Sequence, residues 1–251
     1  MKKILLSLSV ILVLTSCDPK VLGELATTVL ETAAQGVGLT DQQIGSGLKE
    51  ALNIGISNGV DKLSATDGYY KSAYKILLPP EARKVTDRLS KIPGFTDVEE
   101  VLLQKINRGA EDAATRAKPI FVAALRDMTF TDARNILMGD KNAATQYLNR
   151  TTYQNLYGEF SPVIQSSLDK FSARKYWRDI TTQYNKIPLI DDVNTELDQY
   201  ITEQALNGLF SMVEVKELDI RQNISSRTSD ILRKVFALQD PGATTTPGGG
   251  E

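Results

Sequence analysis

From Thr40 to Phe236 the apolar residues of this chain recur at three and four places and do not alternate. That spacing puts them on one side of α-helices and leaves no pattern for a half-buried strand. Ile44, Leu48, Leu52, Gly55, Gly59 and Leu63 share one helical face. Val98, Val101, Leu102 and Ile106 share another, which continues through Gly109, Ala110, Ala113, Ala114 and Ala117. Leu197, Ile201, Leu206, Leu209, Phe210 and Val213 mark a long helix reaching toward Arg221. The fold class is therefore all-α, a single multi-helix domain.

Stop and start signals divide these stripes. Thr40 with Gln43 has the form of a capping box, and so does Thr96 with Glu99. Thr129 to Asp132 offers a further cap, and Ser226 or Thr228 precedes the closing stretch ILRKVF. Pro80 suits the first turn of a helix ending near Ile92-Pro93-Gly94, and Pro119 should kink or restart the alanine-rich helix. A short helix over KNAATQYLN precedes a separate long segment from Thr152, which Pro162 bends or splits. Tyr69, Tyr70, Tyr74, Ile76, Leu77 and Leu78 lack a helical period and follow the turn Asp67-Gly68. They predict a short hairpin or an extended loop over 69–78 packed on the helices. Gly55 and Gly59 each cost about 1 kcal/mol against alanine inside a helix, so close approach of another element should compensate them.

The beginning of the chain carries a different message. Lys2 and Lys3 precede the apolar run Ile4 to Leu14, too short to span a bilayer but right for a signal peptide. Leu14-Thr15-Ser16-Cys17 then resembles a bacterial lipobox, and Cys17 is the chain's only cysteine. The expected organisation is a signal peptide over 1–16, a lipidated segment and linker over 17–39, a helical domain over 40–238, and a disordered tail over 239–251. The helical spacing of Val21, Leu22, Leu25, Val29 and Leu30 adds a short helix just past the anchor. Cys17 is the expected lipidation site, and acyl chains there place the domain at a membrane of the cell envelope, facing the periplasm. Asp18 resembles an inner-membrane retention signal of enteric bacteria, and the choice between inner and outer membrane stays open.

Composition narrows the chemistry. With no histidine, the chain has no imidazole for acid–base work, for a Ser-His-Asp triad or for a metal. With its cysteine used for lipid, it has no thiol nucleophile and no disulfide. A net charge of −2 gives no bulk attraction to nucleic acid. No cofactor and no metal are implied, and the reading is a non-enzyme.

Several stretches resemble a known family. INRGAEDAATRAKPIFVAALRDMTFTDARNIL, then AATQYL, FSPVI and the closing IRQ and ILRKVF, are similar to domain-of-unknown-function family 4197, a group of bacterial envelope proteins. The resemblance covers Gly45 to Phe236 and implies a mostly helical single domain behind an export signal. It supplies no activity and no site residues.

Three polar constellations remain as sites. Asn107 with Glu111, Arg108 with Asp112, and Asp112 with Arg116 are four apart, hence neighbours on a helix. Asn107, Glu111 and Arg116 would bind a polar ligand beside the small-residue face, or serve as an internal hydrogen-bonded strut. Lys170, Arg174, Lys175 and Arg178 interleave with Phe171, Tyr176 and Trp177. Outside the cytoplasm, Arg174, Lys175, Trp177 and Arg178 would face anionic lipid headgroups or glycans, or form a solvated face with Trp177 in the core. Asp191, Asp192 and Glu196 would provide paired carboxylates, or simply favour a helix N-terminus. The leading function is a non-catalytic binding or structural protein with an envelope protein or lipid as partner. The alternatives are a carrier of a small apolar ligand and a carboxylate-dependent hydrolase.

Replacing Cys17 by alanine should leave an uncut, mislocalised precursor. Mass spectrometry and membrane fractionation check this, and normal processing of the variant would refute the lipid anchor.

Overall fold

The computed structural model describes residues 39–186 and 197–240. The expectations for the signal peptide, Cys17, the short helix after it, Asp191, Asp192, Glu196 and the tail beyond Asp240 lie outside these residues. Among the described residues there are nine α-helices and no strand: α1 Asp41–Ser64, α2 Pro80–Leu89, α3 Val98–Ala114, α4 Ala117–Asp127, α5 Phe130–Met138, α6 Ala143–Lys170, α7 Ala173–Tyr184, α8 Asp198–Gln222 and α9 Asp230–Phe236. The chain is an all-α domain. No described helix is long and apolar enough to cross a membrane.

The core forms where α1, α3, α6 and α8 meet. α6 packs along α8 and α3, and α1 packs along α8, α5, α4 and α9. α2 and α7 close the other side of α3. Leu48, Leu63, Leu102, Ile106, Phe121, Leu148, Phe160 and Leu206 are buried there.

Local signals explain most boundaries. Thr40 and Gln43 form their capping box at the start of α1, and Thr129 and Asp132 form theirs at the start of α5. α3 stops at Ala114 and α4 restarts at Ala117, which leaves Pro119 in a first turn whose N–H groups have no helical partner. Residues 69–78 form turns and then an extended loop, with no hairpin.

Three expectations fail for identifiable reasons. The box of Thr96 and Glu99 does not form: Asp97 stands at the N-cap without a side-chain bond, and Glu99 accepts from Thr86 Oγ1 instead. The cap of α9 is Ser229, because Ser226 is drawn to Asp219 at 2.9 Å. The short helix over KNAATQYLN and the segment from Thr152 are one continuous helix, α6. Its buried residues Ala144, Leu148, Thr152, Leu156, Phe160, Ile164 and Leu168 advance in strict steps of four. Each such step turns the stripe about 40° around the helix, so it winds past several neighbours and no single face shows in the sequence. Pro162 lies inside α6 on its exposed side, where the helix tolerates it.

Gly55 and Gly59 face α8 at close range. A Cβ on Gly59 would stand 2.9 Å from Met212 Cγ, whereas one on Gly55 would meet Lys216 Cβ at an ordinary 3.4 Å. Gly59→Leu should therefore destabilise the domain by about 1–3 kcal/mol through overpacking. Gly55→Ala should stabilise it by up to about 1 kcal/mol through helix propensity. Urea denaturation of both variants reads these opposite signs.

Candidate functional site

Asn107 and Glu111 are buried and bound to the main chain of the 65–78 loop. Asn107 Oδ1 accepts from the Ile76 N–H at 2.8 Å, and its amide donates to the Ile76 carbonyl at 2.9 Å and to the Leu103 carbonyl at 2.8 Å. One side-chain amide thus does for the extended loop what a neighbouring strand would do. Glu111 Oε1 accepts from the Tyr69 and Tyr70 N–H groups, and its Oε2 accepts from Arg108 at 2.6 Å. Arg108 also binds Asp67 at 2.6 Å, instead of the Asp112 expected four places on. Asp112 turns to Ser167 and Lys170. The Tyr69 hydroxyl donates to the Ala205 carbonyl on α8 at 2.7 Å, and burial raises its pKa far above the ordinary phenol value.

The loop's start has its own backbone demands. Asp67 sits at φ 70°, a left-handed conformation that aspartate tolerates better than most residues. A Cβ on Gly68 would lie 2.3 Å from the Lys62 carbonyl oxygen, so only glycine fits. Arg116 stands apart from this cluster, exposed in the turn between α3 and α4. The first predicted constellation is thus an internal strut around Asn107 and Glu111, with Arg116 outside it.

The basic–aromatic helix is mostly neutralised. Lys170 pairs with Asp112, Arg174 with Asp169 and Asp198, and Lys175 with Asp179. Trp177 is in the core beside a cavity of about 10 Å³, and its Nε1 has no hydrogen-bond partner among the described residues. Of the four candidates on α7, Arg174 and Lys175 are paired, Trp177 is buried and Arg178 stays exposed.

Sequence reasoning missed a set of charges that cap helices from a distance. Glu217 on α8 accepts from the Ala144 and Thr145 N–H groups at the start of α6, at 2.9 and 2.8 Å. Its partner Arg221 donates to the Ile136 and Leu137 carbonyls at the end of α5. Lys105 of α3 donates to the Phe171 carbonyl at the end of α6, at 2.6 Å. Arg227 is 2% exposed, donates to the Ile220 and Arg221 carbonyls at the end of α8, and grips Asp240 with both terminal nitrogens. Gln239 also binds Arg221, so both residues of the expected tail that the structure describes are bonded into the fold. The only local trace of this set is the four-residue spacing of Glu217 and Arg221, which a solvated pair would share.

A groove of about 870 Å³ lies between α4 and α6. α4 and the turn before it line it with Arg116, Pro119, Ile120, Ala123, Ala124 and Asp127, and α6 with Tyr147, Thr151, Gln154, Asn155, Gly158 and Glu159 among others. The two helices are antiparallel: Asp127 at the end of α4 and Tyr147 near the start of α6 both line the groove, while the chain enters α4 beside the end of α6, where Ser167 donates to Asp112. Arg116 and Glu159 therefore mark one end of the groove, and Asp127 and Tyr147 mark the other. Among the described residues, Arg116, Asp127, Gln154, Asn155 and Glu159 make no side-chain hydrogen bond or ion pair.

Stability should respond to both the strut and the pH. Asn107→Ala leaves the buried Ile76 N–H and carbonyl without partners and should cost about 2–4 kcal/mol by chemical denaturation. Hydrogen bonds from Arg108 and then Lys71 hold Asp67 below its ordinary pKa, and the Tyr70 hydroxyl holds Glu100 below its own. Such groups stabilise the fold above their unfolded values and lose that contribution as pH falls through the folded ones. The melting temperature should therefore be level above about pH 5 and fall below about pH 4, less steeply in Asp67→Asn.

Neither curated proteins nor solved structures include a match to this chain. A family model described as protein of unknown function (DUF4197) matches residues 38–237, most of the sequence and all nine described α-helices, so the chain belongs to that family.

Proposed function

We propose that this protein is an extracytoplasmic domain, tethered to a membrane by lipid on Cys17, that works by binding another envelope component in the α4–α6 groove. The reading rests on how the polar residues divide. Asn107, Glu111, Glu217, Arg221 and Arg227 are buried against main-chain groups of the fold, while Arg116, Asp127, Gln154, Asn155 and Glu159 line an open groove and bond to none of the described residues. Unused hydrogen-bonding groups around a large concavity are what a binding site offers.

The two alternatives draw less support. A carrier of acyl chains needs an enclosed apolar volume, and the narrow cavities beneath Trp177 and between α1 and α8 hold about 10 Å³ each. A two-carboxylate hydrolase needs its acids about 5–9.5 Å apart. In the groove, Glu159 stands twelve residues along α6 from Tyr147, the residue beside Asp127. At 1.5 Å per residue that separates the acids by about 18 Å.

Gly158 provides the test, because a Cβ there meets nothing within 4 Å. Gly158→Trp should fill the groove without disturbing the fold. Chemical crosslinking in cells, followed by mass spectrometry of captured proteins, glycans and lipids, should show capture lost in the variant, with melting and membrane fractionation unchanged. Equal capture by both proteins would refute the groove as the binding surface.

A further inference from the structure

The identity of the groove's occupant follows from its walls, given that the groove is the binding surface. Pro119, Ile120, Ala123 and Ala124 on α4 recur at the spacing of a helix–helix seam, and Thr151, Asn155 and Gly158 on α6 do the same. Both walls are helices, so apart from the Gly158 carbonyl the main-chain donors and acceptors along α6 are already used. An extended peptide lying there would find only scattered side chains such as Gln154 and Asn155, and no main-chain ladder, to pair its own N–H and carbonyl groups. A helix brings those groups satisfied. A glycan would want an open aromatic face, but the one aromatic in the lining, Tyr147, has its ring beside the Arg150 guanidinium at 5.8 Å.

Gly158 adds an independent sign. A glycine inside a helix is costly, and here no contact within the domain requires it. Pro162, four places on, has no N–H to give the Gly158 carbonyl. The result is a bare stretch of α6 at the groove wall, with room for close approach and an acceptor deprived of its helical donor.

We propose that the α4–α6 groove receives an amphipathic α-helix of about three turns from a partner protein, lying parallel to α6. The length matches the span of about 18 Å from Tyr147 to Glu159. The charges set the direction. Asp127 meets the positive end of the incoming helix, its N-terminus, and Arg116 meets the negative end. Glu159 beside Arg116 then takes a Lys or Arg from the helix's last turn, where such residues are common. Small apolar residues of the partner pack on Ile120, Ala123 and Gly158, and its polar flank faces Gln154.

Site-specific photocrosslinking in cells that naturally make the protein tests this. Benzoylphenylalanine replaces Tyr147, Ala123 or Asn155 one at a time in the full-length chain, and Lys175 on α7 as a control. The expected result is adducts from all three groove positions to one partner polypeptide, within one stretch of about twelve residues and at spacings of three or four. The Tyr147 probe should mark the N-terminal side of that stretch and the Asn155 probe its C-terminal side. Gly158→Trp should reduce these adducts at least tenfold with the melting temperature unchanged. Alternate-residue spacing, reversed polarity, adducts within this same chain, or adducts to glycan or lipid overturn the helix. Adducts to glycan or lipid that Gly158→Trp removes would still leave the groove as a binding surface. No adduct from any groove position overturns both readings.

Discussion

α6 is held at both ends by charges that belong to other helices, and the rest of the domain depends on that. A helix of this length exposes unpaired N–H groups at its start and carbonyls at its end, with a positive and a negative pole. Its own N-cap, Asn142, makes no side-chain cap. Glu217 from α8 supplies the negative group at the start, and Lys105 from α3 supplies the positive group at the end. Because the caps come from α8 and α3, the two helices on which α6 packs most, the position of α6 is fixed along its axis as well as across it. Apolar packing alone would permit sliding by a turn, since the stripe of buried residues repeats every four places.

Arg221 extends the same device to α5. It binds Glu217 and the last carbonyls of α5 together, so α8 grips both sides of the corner between α5 and α6. The pair is almost fully buried, at 6% and 3% side-chain exposure. A buried ion pair does not stabilise by its Coulomb energy alone, because desolvation offsets it. This one also satisfies main-chain groups that would otherwise be buried without partners. The corner links α4 to α6 through the short α5, and α8, which holds that corner, contributes no residue to the lining of the groove.

What the sequence revealed was local, and what it hid was distant. Thr40 with Gln43 and Thr129 with Asp132 are legible because donor and acceptor lie within one turn. Gly55 and Gly59 are legible because their cost is local, even though the partner helix is not. Glu217 caps residues 72 and 73 places away, and no pattern around it marks that role. Asn107 and Glu111 stood out as polar residues beside a small-residue face, but the loop they hold lies 31–42 residues earlier in the chain. The reading of α6 as two helices failed because a buried stripe advancing by four winds around the helix, while a search for one face assumes it stays put. Of the candidate residues, Arg116 alone reaches the groove; its other free polar residues, Asp127 on α4 and Gln154, Asn155 and Glu159 on α6, sit in ordinary-looking positions.

A domain with no disulfide must reach a unique arrangement by other means. Here each deeply buried charged side chain is bonded to main-chain atoms of another element: Glu111 to the 65–78 loop, Glu217 to α6, Arg221 to α5, and Arg227 to the end of α8. Main-chain atoms are in place whatever the surface sequence, so these bonds specify geometry without drawing on surface residues. The strut at Asn107 and Glu111 performs the same task for the stretch between α1 and α2, which has no helix of its own. With the internal polar groups committed in this way, substitutions along Gln154, Asn155 and Glu159 alter what the groove presents while leaving the frame that shapes it. That separation lets one helical scaffold keep its fold while the surface of the groove changes.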